Sequence, residues 1–292
     1  MTNLFKNYSI TFLLILTTAG KTVAQNFTGK AEYFSKTTIN KKISDQSDKK
    51  ITSEDKDFDD AIEKAMQIAG ENKYLLAFSK QAARYTKIQE LEKPKVNTDG
   101  FNISVSFDSD EISSAFIDLK NKKLLQEASF MNKAFLISDE LLPYDWTISA
   151  ETKKIGDYIC YKAQTIVPVA KINMIEYQEF LKKEETKPSL FKMNAPRPTS
   201  VTAWFTTQIP VNLGPKNYWG LPGLILEIVE KETESTQTLL CYKITLSNKD
   251  NFILVAPSKG KTVTKVQYDK LKKDKYDDMK DGESTIIINR SH

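Results

Sequence analysis

Residues 201–231, VTAWFTTQIPVNLGPKNYWGLPGLILEIVEK, join two apolar runs through a connection that carries Pro210, Pro215, Pro222, Gly214, Gly220, Gly223 and an adjacent Tyr218-Trp219 pair. In 201–208 the β-branched and aromatic residues favour a strand, with Val201, Ala203 and Phe205 on one face and Thr202, Trp204 and Thr206 on the other. A second strand is expected over 224–229, where Leu224, Leu226 and Ile228 share one face and Ile225, Glu227 and Val229 the other. The connection between them is long: a loop of about 15 residues without structure of its own is uncommon inside a compact domain and usually has a task. Leu221-Pro222-Gly223-Leu224 has the composition of a type II turn, with proline presetting φ at its second position and Gly223 supplying positive φ at its third. Glu227 is the odd residue in its strand, because a carboxylate between two β-branched apolar neighbours must reach solvent or find a partner.

Outward from this stretch the chain reads as strand after strand. Upstream runs fall at 29–40, 74–79, 84–89, 103–107, 114–119, 123–130, 134–138, 146–150 and 158–167, and downstream runs at 238–246 and 252–256. Asn121-Lys122 and 97–100 suit turns. Strands that succeed one another with few intervening helices favour antiparallel pairing, so the expected fold class is mainly β with a few packed helices: a curved antiparallel sheet or half-barrel of the lipoprotein-carrier kind. One helix is expected over 57–70, with Asp57 as N-cap and Phe58, Ala61, Ile62, Ala65 and Ile68 at helical spacing before Gly70. A protruding helix and proline-punctuated linker are expected over 171–199, and a helical tail over 264–282.

Residues 1–24 have the pattern of a signal peptide: Lys6, an apolar run over 10–16 and a small-residue end at Thr22-Val23-Ala24. The remainder, 25–292, is expected to form a single domain that is exported and soluble, in the periplasm, associated with the outer membrane or secreted. No cysteine follows the expected cut, so a lipid anchor is not expected there. The formal charge is +4 with acids and bases interleaved, which gives nucleic acid no electrostatic footprint.

The chemistry inventory excludes several mechanisms. The single histidine is His292, so Ser-His and Cys-His pairs and histidine-bearing zinc sites are not available. Asp108-Ser109-Asp110-Glu111 lacks the glycine and the distal glutamate of a calcium loop and reads as a solvated turn. No cofactor and no metal are assigned. Cys160 and Cys241 stand 81 positions apart. An even count in an exported chain favours a disulfide, with two buried free thiols as the alternative.

The run Gly220-Leu221-Pro222-Gly223-Leu224-Ile225 spells the hexapeptide of the GLPGLI family, a group of exported proteins largely from Bacteroidetes, and the chain resembles that family. Ala203-Trp204-Phe205-Thr206, Ile209-Pro210, Gly214-Pro215, Tyr218 and Leu226-Glu227 also fall in its pattern, as do Ile155-Gly156-Asp157-Tyr158, Cys160 and Lys162-Ala163 upstream and Leu239-Leu240-Cys241 downstream. The likeness is good over 143–265 and weak elsewhere. It implies export and a neighbourhood of TonB-dependent outer-membrane receptors. The resulting reading is a non-enzymatic envelope protein that binds a lipid or peptide-like ligand or assists such a receptor. Its candidate ligand-binding residues are Trp204, Tyr218, Trp219, Leu221, Leu224 and Glu227. The alternatives are a hydrolase that acts on envelope polymers through carboxylates such as Glu227, and a structural surface component.

Overall fold

The computed structural model describes residues 28–39, 64, 70–89, 96–98, 101–103, 112–186, 194–233, 235–247 and 254–280. Numbered along the chain, the strands are β1 (Thr28–Ile39), β2 (Glu71–Ser79), β3 (Ala82–Lys87), β4 (Val96–Thr98), β5 (Phe101–Ile103), β6 (Ile112–Asp118), β7 (Lys123–Phe130), β8 (Lys133–Glu140), β9 (Thr147–Ile155), β10 (Tyr158–Val167), β11 (Thr199–Thr206), β12 (Leu224–Lys231), β13 (Ser235–Ser247) and β14 (Lys261–Val263). The described helices are α1 (Lys171–Thr186) and α2 (Lys265–Lys280).

The seam of the sheet is β1, twelve residues long, which pairs with β2 on one edge and with β13 on the other. Two antiparallel meanders leave this seam. One runs β2-β3-β6-β7-β8, the other β13-β12-β11-β10-β9, and together with β14 they make a twelve-stranded sheet; β4 and β5 form a separate pair. The mainly β, antiparallel expectation therefore holds, and the sheet curves without closing. Register breaks at Glu32/Tyr33, Ile112/Ser114, Tyr161/Ala163 and Trp204/Phe205 bend the strands, as inserted residues do.

Curvature brings side chains from separated strands into one core. Tyr33 on β1 and Leu226 on β12, with β13 between those strands, are both buried, and the Tyr33 hydroxyl donates to the Ile225 carbonyl at 2.6 Å. Phe78, Tyr85, Ile117, Ala203, Phe205 and Leu239 complete the same cluster. A smaller core lies at the β8 end, where Tyr268 of α2 meets Phe135 edge-on, with ring centres 5.3 Å apart. Lys273 of α2 bonds Glu179 of α1 at 2.9 Å, so the α1 excursion is tied back to the second helix.

Several expectations change. The strand expected over 252–256 is irregular from 254 onward, and the chain instead enters the sheet as β14, parallel to β8. Gly260 makes the entry possible at φ +104, a backbone conformation that L side chains rarely adopt. The disulfide is not formed: Cys160 and Cys241 are buried free thiols. Strand order gives the reason, since β11 and β12 lie between β10 and β13. Burial pushes the Cys160 thiol up to about 11 and the Cys241 thiol up to about 12, so both stay protonated and unreactive at neutral pH. The expected signal peptide at 1–24 lies outside the described residues, as does nearly all of the helix expected at 57–70. No helix among the described residues is long and apolar enough to cross a membrane.

Candidate functional site

The connection between β11 and β12 is a folded strap, not a structureless loop. The Ile209 carbonyl accepts the Val211 N–H at 2.8 Å across Pro210 and the Leu224 N–H at 3.0 Å from the far end of the strap. The Leu221 carbonyl likewise accepts the Gly223 N–H at 2.8 Å across Pro222. Both are three-residue turns of the kind that a proline φ suits. Between them Gly220 N–H donates to Asn212 O at 3.0 Å, Leu213 and Trp219 form an antiparallel bridge, and Tyr218 N–H returns to Pro215 O at 3.2 Å. Ile209, Val211, Leu213 and Leu221 point into the main core and are essentially inaccessible to solvent.

This geometry corrects the type II turn expected at 221–224. Positive φ belongs to Gly220, at +97, and not to Gly223. Gly223 is required for space instead: a Cβ there would stand 2.0 Å from the Thr206 carbonyl oxygen. The strap crosses the end of β11 so closely that only a hydrogen fits.

One charged group fastens the strap to the sheet. Glu230, near the end of β12, takes the Lys216 ammonium at 2.6 Å on Oε2 and the Tyr218 hydroxyl at 2.7 Å on Oε1. Lys216 sits at φ 55, a left-handed conformation costly for a residue with a Cβ, which its ion pair and the closed turn hold in place. The Tyr144 ring lies 5.0 Å from that of Tyr218. Burial, reinforced by the Glu230 charge, raises both phenols well above their ordinary range, so both remain protonated.

At the rim, two indoles lock the strap to the segment before β9. Trp146 Nε1–H donates to Trp219 O at 2.9 Å, and Trp219 Nε1–H donates to Leu142 O at 2.9 Å. Trp146 stacks at a tilt on Tyr144, 5.6 Å between ring centres. Each indole N–H is thus turned to a backbone carbonyl, while both rings remain partly accessible beside Leu142, which is 67% exposed.

The six sequence-predicted residues do not form one surface. Tyr218, Leu221 and Leu224 are core residues, and Trp219 is at the rim. Trp204 and Glu227 are register partners on the face opposite Ala203 and Phe205. There Lys153 of β9 reaches Glu227 at 2.8 and 2.7 Å and lies 4.3 Å from the Trp204 ring centre. Glu227 therefore has the partner that its apolar neighbours demanded. Sequence reading passed over Trp146, Tyr144, Lys216 and Glu230. Glu230 was accessible to the same alternation argument, since it continues the face of Leu224, Leu226 and Ile228. Glu227 and Glu230 stand on opposite faces, each engaged by its own lysine, and two such carboxylates cannot flank one glycosidic bond. Among the described residues no group of three His, Cys, Asp or Glu side chains could hold a metal ion.

A family model described as a protein of unknown function (Porph_ging) matches residues 146–227, from the rim tryptophan to the outer glutamate. No curated protein matches the sequence. Among solved structures the chain is similar to PNGF-II in C2 and P21 crystal forms, each at TM-score 0.43 and 14% identity over 84% of this chain and 32% of that one. The chain thus spans about a third of the length of PNGF-II. It is also similar to the Mycobacterium tuberculosis lipoprotein LppX, at TM-score 0.26 and 8% identity over 74% of this chain and 85% of that one. Likenesses of this size say nothing about what the chain binds.

Proposed function

We propose that the protein is a non-enzymatic, exported envelope protein that binds a hydrophobic or peptide-like ligand at the rim built by Leu142, Trp146 and Trp219. The observation that carries this reading is the pair of indole N–H groups committed to backbone carbonyls. Indoles so fixed offer rigid apolar surface at little entropic cost, the property that makes tryptophan an anchor in recognition. The inner face of the sheet is filled by the strap and core side chains, which directs binding to the rim. The resemblance to the GLPGLI family supports export and proposes a TonB-dependent receptor as neighbour.

Native mass spectrometry of the protein purified from its natural host tests this. The expected result is an adduct of lipid or peptide mass that is lost in Leu142→Asp, a change at an exposed position that leaves the melting temperature unchanged. Wild-type preparations that carry no adduct repeatedly would count against the reading.

A further inference from the structure

The twelve-stranded sheet ends in two edges of unlike character. At one end stands β14, three residues long and followed at once by α2. At the other stands β9, nine residues long and mostly exposed, which among the described residues pairs only with β10. A long exposed edge presents a row of unpaired backbone donors and acceptors, a template for a strand from another chain.

The backbone direction along β9 follows from its neighbour. Ile159 N–H donates to Gln208 Oε1 at 2.9 Å, beyond the end of β11, so Ile159 turns its backbone away from β9. Cys160 therefore turns toward β9, since hydrogen-bonded and non-hydrogen-bonded pairs alternate along antiparallel strands. Lys153 is paired with Cys160, Lys154 with Ile159 and Thr152 with Tyr161. Thr152 and Lys154 thus direct their N–H and C=O groups to the open edge. Upstream of Thr152 the ladder is bulged, and there Glu151 N–H is taken by Ser149 Oγ at 3.3 Å.

The charges on β9 select a partner. Glu151 bonds Lys162 at 2.9 Å and Lys153 bonds Glu227 at 2.7 Å. Both lie on one face of the sheet, because Lys162 is the register partner of Trp204, and Trp204 of Glu227. The Glu151 side chain is 60% exposed and can accept further hydrogen bonds. We propose that the occupant of this edge is a second copy of the chain, whose own β9 pairs antiparallel with it about Thr152 and joins the two sheets into one. That register sets Glu151 opposite the partner's Lys153, twice by two-fold symmetry, in the non-hydrogen-bonded pair where side chains approach most closely. Pairing centred on Glu151, Lys153 or Lys154 would instead set like charges face to face, which is destabilising. Ala150 lies in the bulge without a ladder partner, so it cannot serve as the centre.

Sedimentation velocity of the purified protein at rising concentration tests the pairing. Wild type should pass from monomer to dimer as concentration rises, since one strand edge makes a small, transient interface. Thr152→Pro removes an N–H that serves only the open edge. It should therefore keep the wild-type far-UV circular dichroism and abolish the dimer. Glu151→Lys, at an exposed position, should raise the dimer dissociation constant about tenfold at low salt and less at high salt. Wild type that stays monomeric at its highest soluble concentration overturns the proposal, including the case in which the edge receives a strand from a different protein. A dimer left intact by Thr152→Pro overturns it as well, by placing the interface elsewhere. Should the proline variant fail to fold, Glu151→Lys decides alone: a dimer as tight as wild type overturns the register. The rim of Leu142, Trp146 and Trp219 takes no part in this pairing, so the ligand adduct and the dimer succeed or fail separately.

Discussion

Glu227 and Glu230 sit three residues apart on β12, have side chains 14% and 11% exposed, and each bonds a lysine that is 34% exposed. By residue type, burial and partner they are almost the same site, yet they lie on opposite faces and hold different things. Lys153, the partner of Glu227, is on β9, a strand already secured by its ladder to β10. Lys216, the partner of Glu230, belongs to the strap, where φ is unfavourable and where Tyr218 shares the same carboxylate. An ion pair between two elements that are otherwise fixed adds little. One that fixes an otherwise frustrated segment carries that segment's order as well.

The largest expected effect tests whether the strap is part of the inner face at all. Gly223→Ala would place a Cβ 2.0 Å from the Thr206 oxygen and 2.5 Å from its carbonyl carbon, both backbone atoms that cannot swing aside. Overpacking of this kind costs about 3 kcal/mol or more. Urea denaturation should show that loss. A variant within about 1 kcal/mol of wild type would mean that the strap lifts away freely, and the contrast between the two faces would fail with it.

Next in size is Glu230→Ala. It strands the Tyr218 hydroxyl in the core without an acceptor and releases Lys216 to partial solvent. The expected loss is about 2–3 kcal/mol, below the full cost of breaking a buried pair because the lysine is partly exposed. Retention of wild-type stability by urea or thermal denaturation would show that the prolines and backbone bonds suffice to hold the strap.

Much of this architecture is legible in the chain, and the failures at the turn, the cysteines and Trp146 share a cause. The strands over 123–130 and 158–167 match β7 and β10 to the residue, because alternation and turn residues are local signals. Glu227 stood out for the same reason. Glu230 did not, since the polar run that follows Val229 reads as a turn and the expected strand stopped two residues short of β12. The turn at 221–224 went astray because composition selects residues suited to turning, whereas the Leu224 N–H is captured by Ile209 on the other arm of the strap. Similarly, the cysteines are separated by strand order, and Trp146 finds its acceptor in Trp219, 73 positions away. Glu230 apart, each of these misses is a non-local bond or neighbour, which no window along the sequence contains.

The smallest effect is expected at Glu227, and it sharpens the contrast most directly. A double-mutant cycle over Lys153→Ala and Glu227→Gln isolates the coupling of the outer pair from the loss of either side chain. Both sites have exits: the Lys153 ammonium can turn to water, and glutamine retains a carbonyl for its hydrogen bond. The coupling should therefore be about 0.5–1 kcal/mol, and it should shrink when salt is raised from about 0.05 M to about 1 M, because the Debye length shortens to about 3 Å, comparable with the separation of this partly exposed pair. The same cycle over Lys216→Ala and Glu230→Gln should give a larger, less salt-sensitive coupling, since the inner pair also stabilises an unfavourable φ and shares its carboxylate with Tyr218. Equal couplings with equal salt dependence would mean that the two lysines do the same work, and that the order of the strap resides in its prolines rather than in the carboxylate beneath it.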